Sequence, residues 1–365
     1  MRVGLLNEGS HAADQSLVER WEEVIREALI AEEVGFDFWG VGEQHFTKET
    51  ATFPSPEVVH GFLAGQTQRI RFRPMSVNLL PYNHPVRIAE QIATLDVLSN
   101  GRAELGGARS NNAWTLEAFG IDAAKTRAYR DEALRLIGTA WTQDPFSFDG
   151  EIWQVGERTL VPRPLQQPHP PISISATGIE SHRDAGRIGI GVMTGNTSAG
   201  WEYAQACVDA YRSAILEVEP ITGHVNDTLG IFSTAVCCAP TGEEAKETAQ
   251  HVAFAWMELM VKIYTRLSEK SEDYAYLANI KKVEDRIHDI DYLVDCAPYV
   301  TMGTPEDFVE RGKILFEMGA DEWILRVDGM GHEAHVRTLR LLGEEVLPEL
   351  HKLVRASDRT GVSSV

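Results

Sequence analysis

Phe36-Asp37-Phe38-Trp39-Gly40-Val41-Gly42-Glu43-Gln44-His45-Phe46 joins two kinds of sequence in one short stretch. Its first half is apolar and aromatic, the composition of a buried strand. Its second half sets a carboxylate, an amide and an imidazole where that strand gives way to a loop. Proteins built from alternating strands and helices carry their chemistry at this end of the sheet. A histidine placed there can move a proton near neutral pH. Taken alone, the segment is equally well read as a loop that His45 merely caps or packs.

Outward from this stretch, strand-like and helix-like segments alternate to both ends. Val3 to Leu6 is a short strand before a helix over 16–33, with Trp21, Ile25, Leu29 and Ala31 near one face. Beyond His45, 56–67 reads as a short helix and 70–80 as the third strand. Pro85 suits the first turn of the next helix, Ile88, Ile92 and Leu95 form its stripe, and Asn100-Gly101 closes it. Strands follow at 103–108, 172–176, 190–194, 229–238 and 322–327, with helices at 124–142, 180–187, 201–217, 243 to about 264, 305–318 and 332–350. Two stretches break the rhythm. One, 143–171, holds a strand-like Glu151 to Val155 and then a run of prolines; the other, 268–295, is polar and rich in charge.

Eight apolar strands alternating with helices imply a parallel sheet covered by helices, and eight is the number that closes a (β/α)8 TIM barrel. The expectation is an α/β fold with one barrel domain over 1–357, insertions after strands four and seven (about 143–171 and 268–298), and a flexible tail over 358–365. An open doubly wound sheet is the alternative, but no Gly-x-Gly-x-x-Gly joins an early strand to a helix.

The totals agree with a large soluble protein: 365 residues, 43% hydrophobic and 24% charged. A formal charge of -20 argues against nucleic acid and anionic membranes as partners, since phosphate binding needs clustered Lys and Arg. Cys207, Cys237, Cys238 and Cys296 follow no metal-site spacing and suit free thiols in a reducing compartment. The N-terminus lacks a signal peptide's pattern and no run of 18 apolar residues exists, so the cytoplasm is the expected location.

In a barrel, the residues just past each strand share one mouth. That rule collects Glu43, His45, Asn78, Arg109, Ser110, Asn111, Asn112, Thr177, Gly178, Thr194, Gly195, Asn196 and Asp328, with Arg127 near enough to join them. Arginines, small hydroxyl residues and a glycine before a helix start make an anion site, because exposed amides and the helix dipole favour phosphate. Gly106-Gly107-Ala108 leaves a wall with few side chains, room for a flat ring. Each residue has a plainer reading: Arg109 as an internal ion pair, Arg127 paired with Asp131, Asn111-Asn112 as a turn. No metal is expected, because His45, His60 and His84 are scattered and no His-x-His exists. No Gly-x-Ser-x-Gly elbow supports serine hydrolysis, and Glu43 has no evident partner for glycoside hydrolysis.

Several stretches, in the same order, resemble the bacterial luciferase-like flavin monooxygenases, a family of (β/α)8 barrels. They are Gly42 to Phe46, Leu79 to Arg87 with Asp96 to Arg102, Gly106 to Arg109, Phe119 to Arg127, Ser175 to Ser181, Gly303 to Glu306 and Val346 to Leu350. The likeness spans nearly the whole chain and is loosest from Thr265 to Pro298. It implies a two-component monooxygenase that takes reduced FMN from a separate reductase, reacts it with dioxygen, and uses a flavin hydroperoxide to oxygenate a small organic substrate.

By the same resemblance His45 is the catalytic acid/base group. Arg109, Arg127, Thr177, Gly178 and Ser181 hold the phosphate, and Glu43, Ser76, Val77, Asn78, Ala108 and Ala176 complete the flavin site. Ser76-Val77 matches a non-proline cis peptide behind the ring, and relatives usually form homodimers through helices beside the second and third strands. Departures narrow the reading. Gln44 replaces the first His of the commonest motif. Ala108 stands where the luciferase α chain has a reactive cysteine, against light emission, and Gly195-Asn196 stands where luciferase has a substrate-contacting aromatic. The insertion over 268–295 lies where luciferase has a mobile lid; a partner-binding excursion is the other reading. Within the same fold a 5-deazaflavin-dependent oxidoreductase is the alternative, and outside enzymes a non-catalytic flavin-binding protein.

Overall fold

Local chemistry starts and stops the helices. At α1 (Leu17–Val34), Ser16 and Glu19 form a reciprocal capping box, and Gly35, at φ 109°, ends the helix in the left-handed region. α2 spans Pro56–Ala64. In α3 (Pro85–Leu98) Pro85 opens the first turn under a His84 side-chain cap, and Asn100 and Gly101 leave it with positive φ. Past α3 come α4 (Ala113–Ala118), α5 (Thr126–Thr142), α6 (Ile179–Arg187), α7 (Trp201–Ala214) and α8 (Gly242–Ser268). The computed structural model describes residues 1–47, 52–195 and 199–355, so Asn196 and the tail over 358–365 lie outside the described residues.

The strands are β1 (Arg2–Asn7), β2 (Phe38–Val41), β3 (Arg71–Phe72), β4 (Val77–Asn78), β5 (Leu105–Ala108), β6 (Phe146–Asp149), β7 (Gln154–Arg158), β8 (Ile172–Ala176), β9 (Gly191–Thr194), β10 (Leu229–Cys238), β11 (Val300–Gly303) and β12 (Glu322–Arg326). Parallel pairings run β3-β2-β1-β12-β10-β9-β8-β5-β4. The ring shuts because Phe72, in β3, also bridges Ala103 just before β5. β3 and β4 are thus the two ends of one stave, and the sheet is the expected α/β barrel with helices outside.

The sequence predicts one strand over 70–80; the chain instead leaves strand geometry between Phe72 and Val77. The glycines beside it give the reason. A Cβ on Gly40 would lie 1.7 Å from the Arg73 carbonyl oxygen, and one on Gly106 would lie 2.0 Å from that of Pro74. The stave bends into room that only glycine leaves. Gly106 and Gly107 therefore accommodate Pro74 and Leu79, not an open face for a flat ring. The non-proline cis peptide is also here, but at Met75-Ser76, one bond earlier than expected at Ser76-Val77.

The floor of the barrel is charged. Glu104 and Glu322 lie between Arg2, Arg71 and Arg73, all in contact through side chains. Around the staves pack large buried side chains, Trp39, Trp141 and Trp323 among them. Both interruptions of the rhythm have structure of their own. β6 and β7 form an antiparallel hairpin, anchored where Glu132 of α5 accepts the amides of Glu151, Ile152 and Trp153 at 3.1, 2.8 and 2.7 Å. The second runs from Ser268 as 3-10 turns (Glu272–Lys282) to a short helix (Ile290–Cys296). Tyr274, Leu277, Ile280 and Val283 are buried along the 3-10 stretch at every third position, as a 3-10 helix requires, and Ile287, Leu293 and Val294 are buried beyond it. β11 and α4 have no counterpart in the sequence reading. The four cysteines are free thiols, and no helix among the described residues is long and apolar enough to cross a membrane.

Candidate active site

The C-terminal ends of the staves open into one cavity, with about 1270 Å³ of empty space counted out to solvent. Its wall takes Glu8 from the end of β1, Glu43 and Gln44 from β2, Ser76 and Asn78 from the bent stave, and Ala108 to Asn112 from β5. Ser175 and Thr177 come from β8, and Gly195 from β9. α8 adds Trp256, Met260 and Tyr264, and the second insertion adds Tyr274 and Tyr276.

Glu43 organises one side. Its Oε2 accepts the Asn78 amide at 2.8 Å, Asn83 Nδ2 donates to both oxygens, and the Tyr82 hydroxyl donates to Oε1 at 3.1 Å. Burial and the neighbouring Glu43 charge push the Tyr82 hydroxyl far up, so it stays a donor. His45 completes the set, with Nε2 2.8 Å from Glu43 Oε1. Its ring packs edge-on against Phe119 and Tyr82, which stack on each other at 4.1 Å. His45 is not itself a wall residue: Glu43 and Gln44 stand at the surface of the cavity.

The opposite side is cationic and amide-rich. Arg109, 8% exposed, stacks 4.5 Å over the Tyr274 ring and donates to the Asp273 carbonyl at 3.3 Å. It pairs with no carboxylate among the described residues, unlike the internal ion pair that its sequence position allowed. Asn112 turns Oδ1 to the Trp114 amide at 2.9 Å, which leaves its buried Nδ2 a donor without a partner. At the start of α6, Ser181 Oγ accepts the amides of Thr177 and Gly178 at 3.2 and 3.0 Å. Tyr276 leans over this loop, its hydroxyl accepting from Thr177 Oγ1 at 2.8 Å.

An arginine without an ion pair among the described residues, an orphaned amide donor and the amino end of a nine-residue helix suit a ligand with a phosphate and ring carbonyls. The expected residues are distributed unevenly around it. Glu43, Ser76, Asn78, Ala108, Arg109 and Thr177 face the cavity; Val77, Ala176, Gly178 and Ser181 stand just behind. Arg127 pairs with Asp184 of α6 instead of with Asp131. Glu8, Trp256, Tyr264, Tyr274 and Tyr276 escaped the sequence reading. The strand-end rule applied to β1 finds Glu8; the aromatics sit on a helix and an insertion, where no strand marks them.

The profile of the family described as luciferase-like monooxygenase matches residues 1–322, and the chain belongs to that family. It is therefore an oxidoreductase of the monooxygenase class. Among curated proteins it is 26% identical over 352 residues to the oxygenase component of flavin-dependent trigonelline monooxygenase from Acinetobacter baylyi, covering 95% of each chain. Among solved structures it resembles the oxygenating constituent of 3,6-diketocamphane monooxygenase from Pseudomonas putida, a type II Baeyer-Villiger monooxygenase in complex with FMN. The TM-score is 0.74 at 25% identity, over 95% of this chain and 98% of that one. It is also 24% identical to an F420-dependent glucose-6-phosphate dehydrogenase from Nakamurella multipartita, over 90% of this chain and 92% of that protein.

Proposed function

We propose that this enzyme is the oxygenase of a two-component system, taking reduced FMN from a separate flavin reductase and inserting one atom of dioxygen into a small organic substrate. The observation that carries the reading is Arg109, a buried cation that forms no ion pair among the described residues, in one cavity with the Thr177 loop at the start of α6. Arg109, Thr177, Gly178 and Ser181 hold the phosphate, with Arg127 steadying α6 through Asp184. Ser76, Asn78 and Ala108 border the ring, and Val77 and Ala176 support them from behind. When bound, reduced FMN supplies the electrons that activate dioxygen. His45 stands behind Glu43 and hydrogen-bonds to its Oε1 through Nε2, so its proton reaches the cavity by way of Glu43. Tyr274 and Tyr276 close the second insertion over the cavity and exclude water.

Oxygen uptake with reduced FMN and candidate substrates tests the role of His45. The His45→Ala variant should lose at least 10²-fold in kcat, the scale of a missing acid/base group. Equal turnover by both proteins would remove His45 from the mechanism.

The relatedness to an F420-dependent dehydrogenase keeps hydride transfer with a 5-deazaflavin as the second reading. Anaerobic titration separates the two: tight binding of the reduced deazaflavin alone would overturn the FMN reading. The four free thiols suit a reducing cytoplasm. A homodimer through the outer faces of α1, α2 and α3 belongs to the same proposal.

A further inference from the structure

Glu8 sits just past β1, 5% exposed, in the wall of the cavity. Its Oε2 is sealed from solvent with no hydrogen-bond partner. The nearest cation is Arg326, whose Nε lies 3.3 Å from that oxygen but only 3.0 Å from Asp328 Oδ1. The same guanidinium gives its other nitrogens to Thr234 and Ser10, at 3.2 and 2.8 Å, and stacks 3.9 Å from the centre of Trp256. One arginine thus faces two carboxylates. Asp328 is the better held of them, because its Oδ2 accepts the amides of Glu8 and Ser10 at 3.2 and 2.9 Å. The surplus acid is Glu8.

Burial pushes the Glu8 carboxyl up to about 7, with Arg326 pulling against the rise and Asp328 adding to it. Arg20 and His335 stand behind Asp328, Tyr264 and Tyr299 stand near Glu8, and Glu43 is the other acid in the wall. Trp256 and Tyr299 are locked together by a 2.6 Å hydrogen bond from Nε1 to the phenol oxygen. Together with Tyr264 they give this part of the cavity ring faces and edges instead of further charge. A buried carboxyl in excess of its counter-charges needs either a proton or a cation, and aromatic rings favour the cation.

We propose that Glu8 selects the substrate by pairing with a cationic nitrogen, a quaternary ammonium or a protonated amine, seated against Trp256, Tyr264 and Tyr299. The inference rests on the oxygenase reading and names the substrate class for that same cavity. Below about pH 7 the empty site holds a proton on Glu8; the cation displaces it, and the proton leaves to solvent. Binding therefore strengthens as pH rises.

Choline and its uncharged carbon isostere, 3,3-dimethylbutan-1-ol, serve as the probes, titrated into the full-length protein by calorimetry. Choline should bind at least tenfold more tightly than the isostere at pH 8, and about tenfold more tightly at pH 8 than at pH 6. Glu8→Gln should abolish both differences. Equal affinity for the two probes, tighter choline binding at pH 6, or an unchanged preference in Glu8→Gln would each overturn the proposal. Should Glu8→Gln not fold, Asp328→Asn serves instead: it leaves Arg326 to neutralise Glu8, so the preference for choline should vanish, and its persistence would be equally fatal. Anaerobic binding of reduced FMN to the same samples reports separately on the oxygenase reading, which fails if the unaltered protein does not bind it.

Discussion

Glu104 receives guanidinium groups from Arg2, Arg71 and Arg73 at the floor of the barrel. Burial alone would raise its carboxyl, but the three arginines override that and hold it well below the usual carboxylate range. A group depressed on folding stabilises the protein above its unfolded value, about 4.3, and the stabilisation is lost as pH falls toward the folded one. His60 extends the same trend upward: burial pushes it down to about 3, and its Nε2 accepts the Val41 amide, so the folded protein keeps it neutral. Unfolding should therefore become easier from about pH 6.5 downward, first through His60 and then through Glu104. Glu104→Gln should cost about 3–5 kcal/mol at pH 7 by leaving Arg73 short of a buried partner. It should also flatten the acid limb below about pH 4.3 alone. Urea unfolding across pH checks both, and a parallel displacement of the whole curve would exclude Glu104 as the titrating group. None of this was legible from Glu104 in the chain, since its three arginines come from two other staves.

At the scale of elements, the second insertion shows where reading by composition fails. Polar and charge-rich in sequence, it buries Tyr274, Leu277 and Ile280 at a spacing that neither the α-helical nor the strand period detects. The Tyr274 hydroxyl donates to the carbonyls of Arg109 and Ser110, at 3.1 and 3.2 Å, and lies 3.0 Å from Thr126 Oγ1. Tyr274→Phe removes those links while keeping the ring beneath Arg109. With about 1 kcal/mol lost, the strap should open about fivefold more often. Trypsin cleavage at Lys281, Lys282 and Arg286 should accelerate by that factor while the global melting temperature barely moves. An unchanged rate would mean that packing of Leu277 and Ile280 alone holds the strap.

For the molecule as a whole, the first three helices carry several exposed apolar side chains. Val18 is 71%, Val58 63% and Phe62 60% exposed, with Leu17, Trp21 and Leu98 nearby on the same helices. Exposed apolar side chains on neighbouring helices suit an interface. The proposed homodimer uses it, so sedimentation should report a dimer that Phe62→Glu converts to monomer without loss of helical content. A native protein that sediments as a monomer would remove the dimer from the proposal.

What the sequence determined by itself was periodic or local: the alternation of apolar strands with amphipathic helices, Pro85 in the first turn of α3 and Asn100-Gly101 at its close, and the strand-end positions of Glu43, Asn78, Arg109 and Thr177. Those features repeat within one turn or one strand, so neighbours along the chain suffice to show them. Tertiary structure decided what depends on distant partners. The third stave bends because glycines on both neighbouring staves leave space for its carbonyls. His45 stands behind Glu43, and Arg127 turns to Asp184. Glu8 becomes a surplus acid only because β12 brings a single arginine and a second carboxylate beside it, and a charge balance in space is not written in any one stretch of chain.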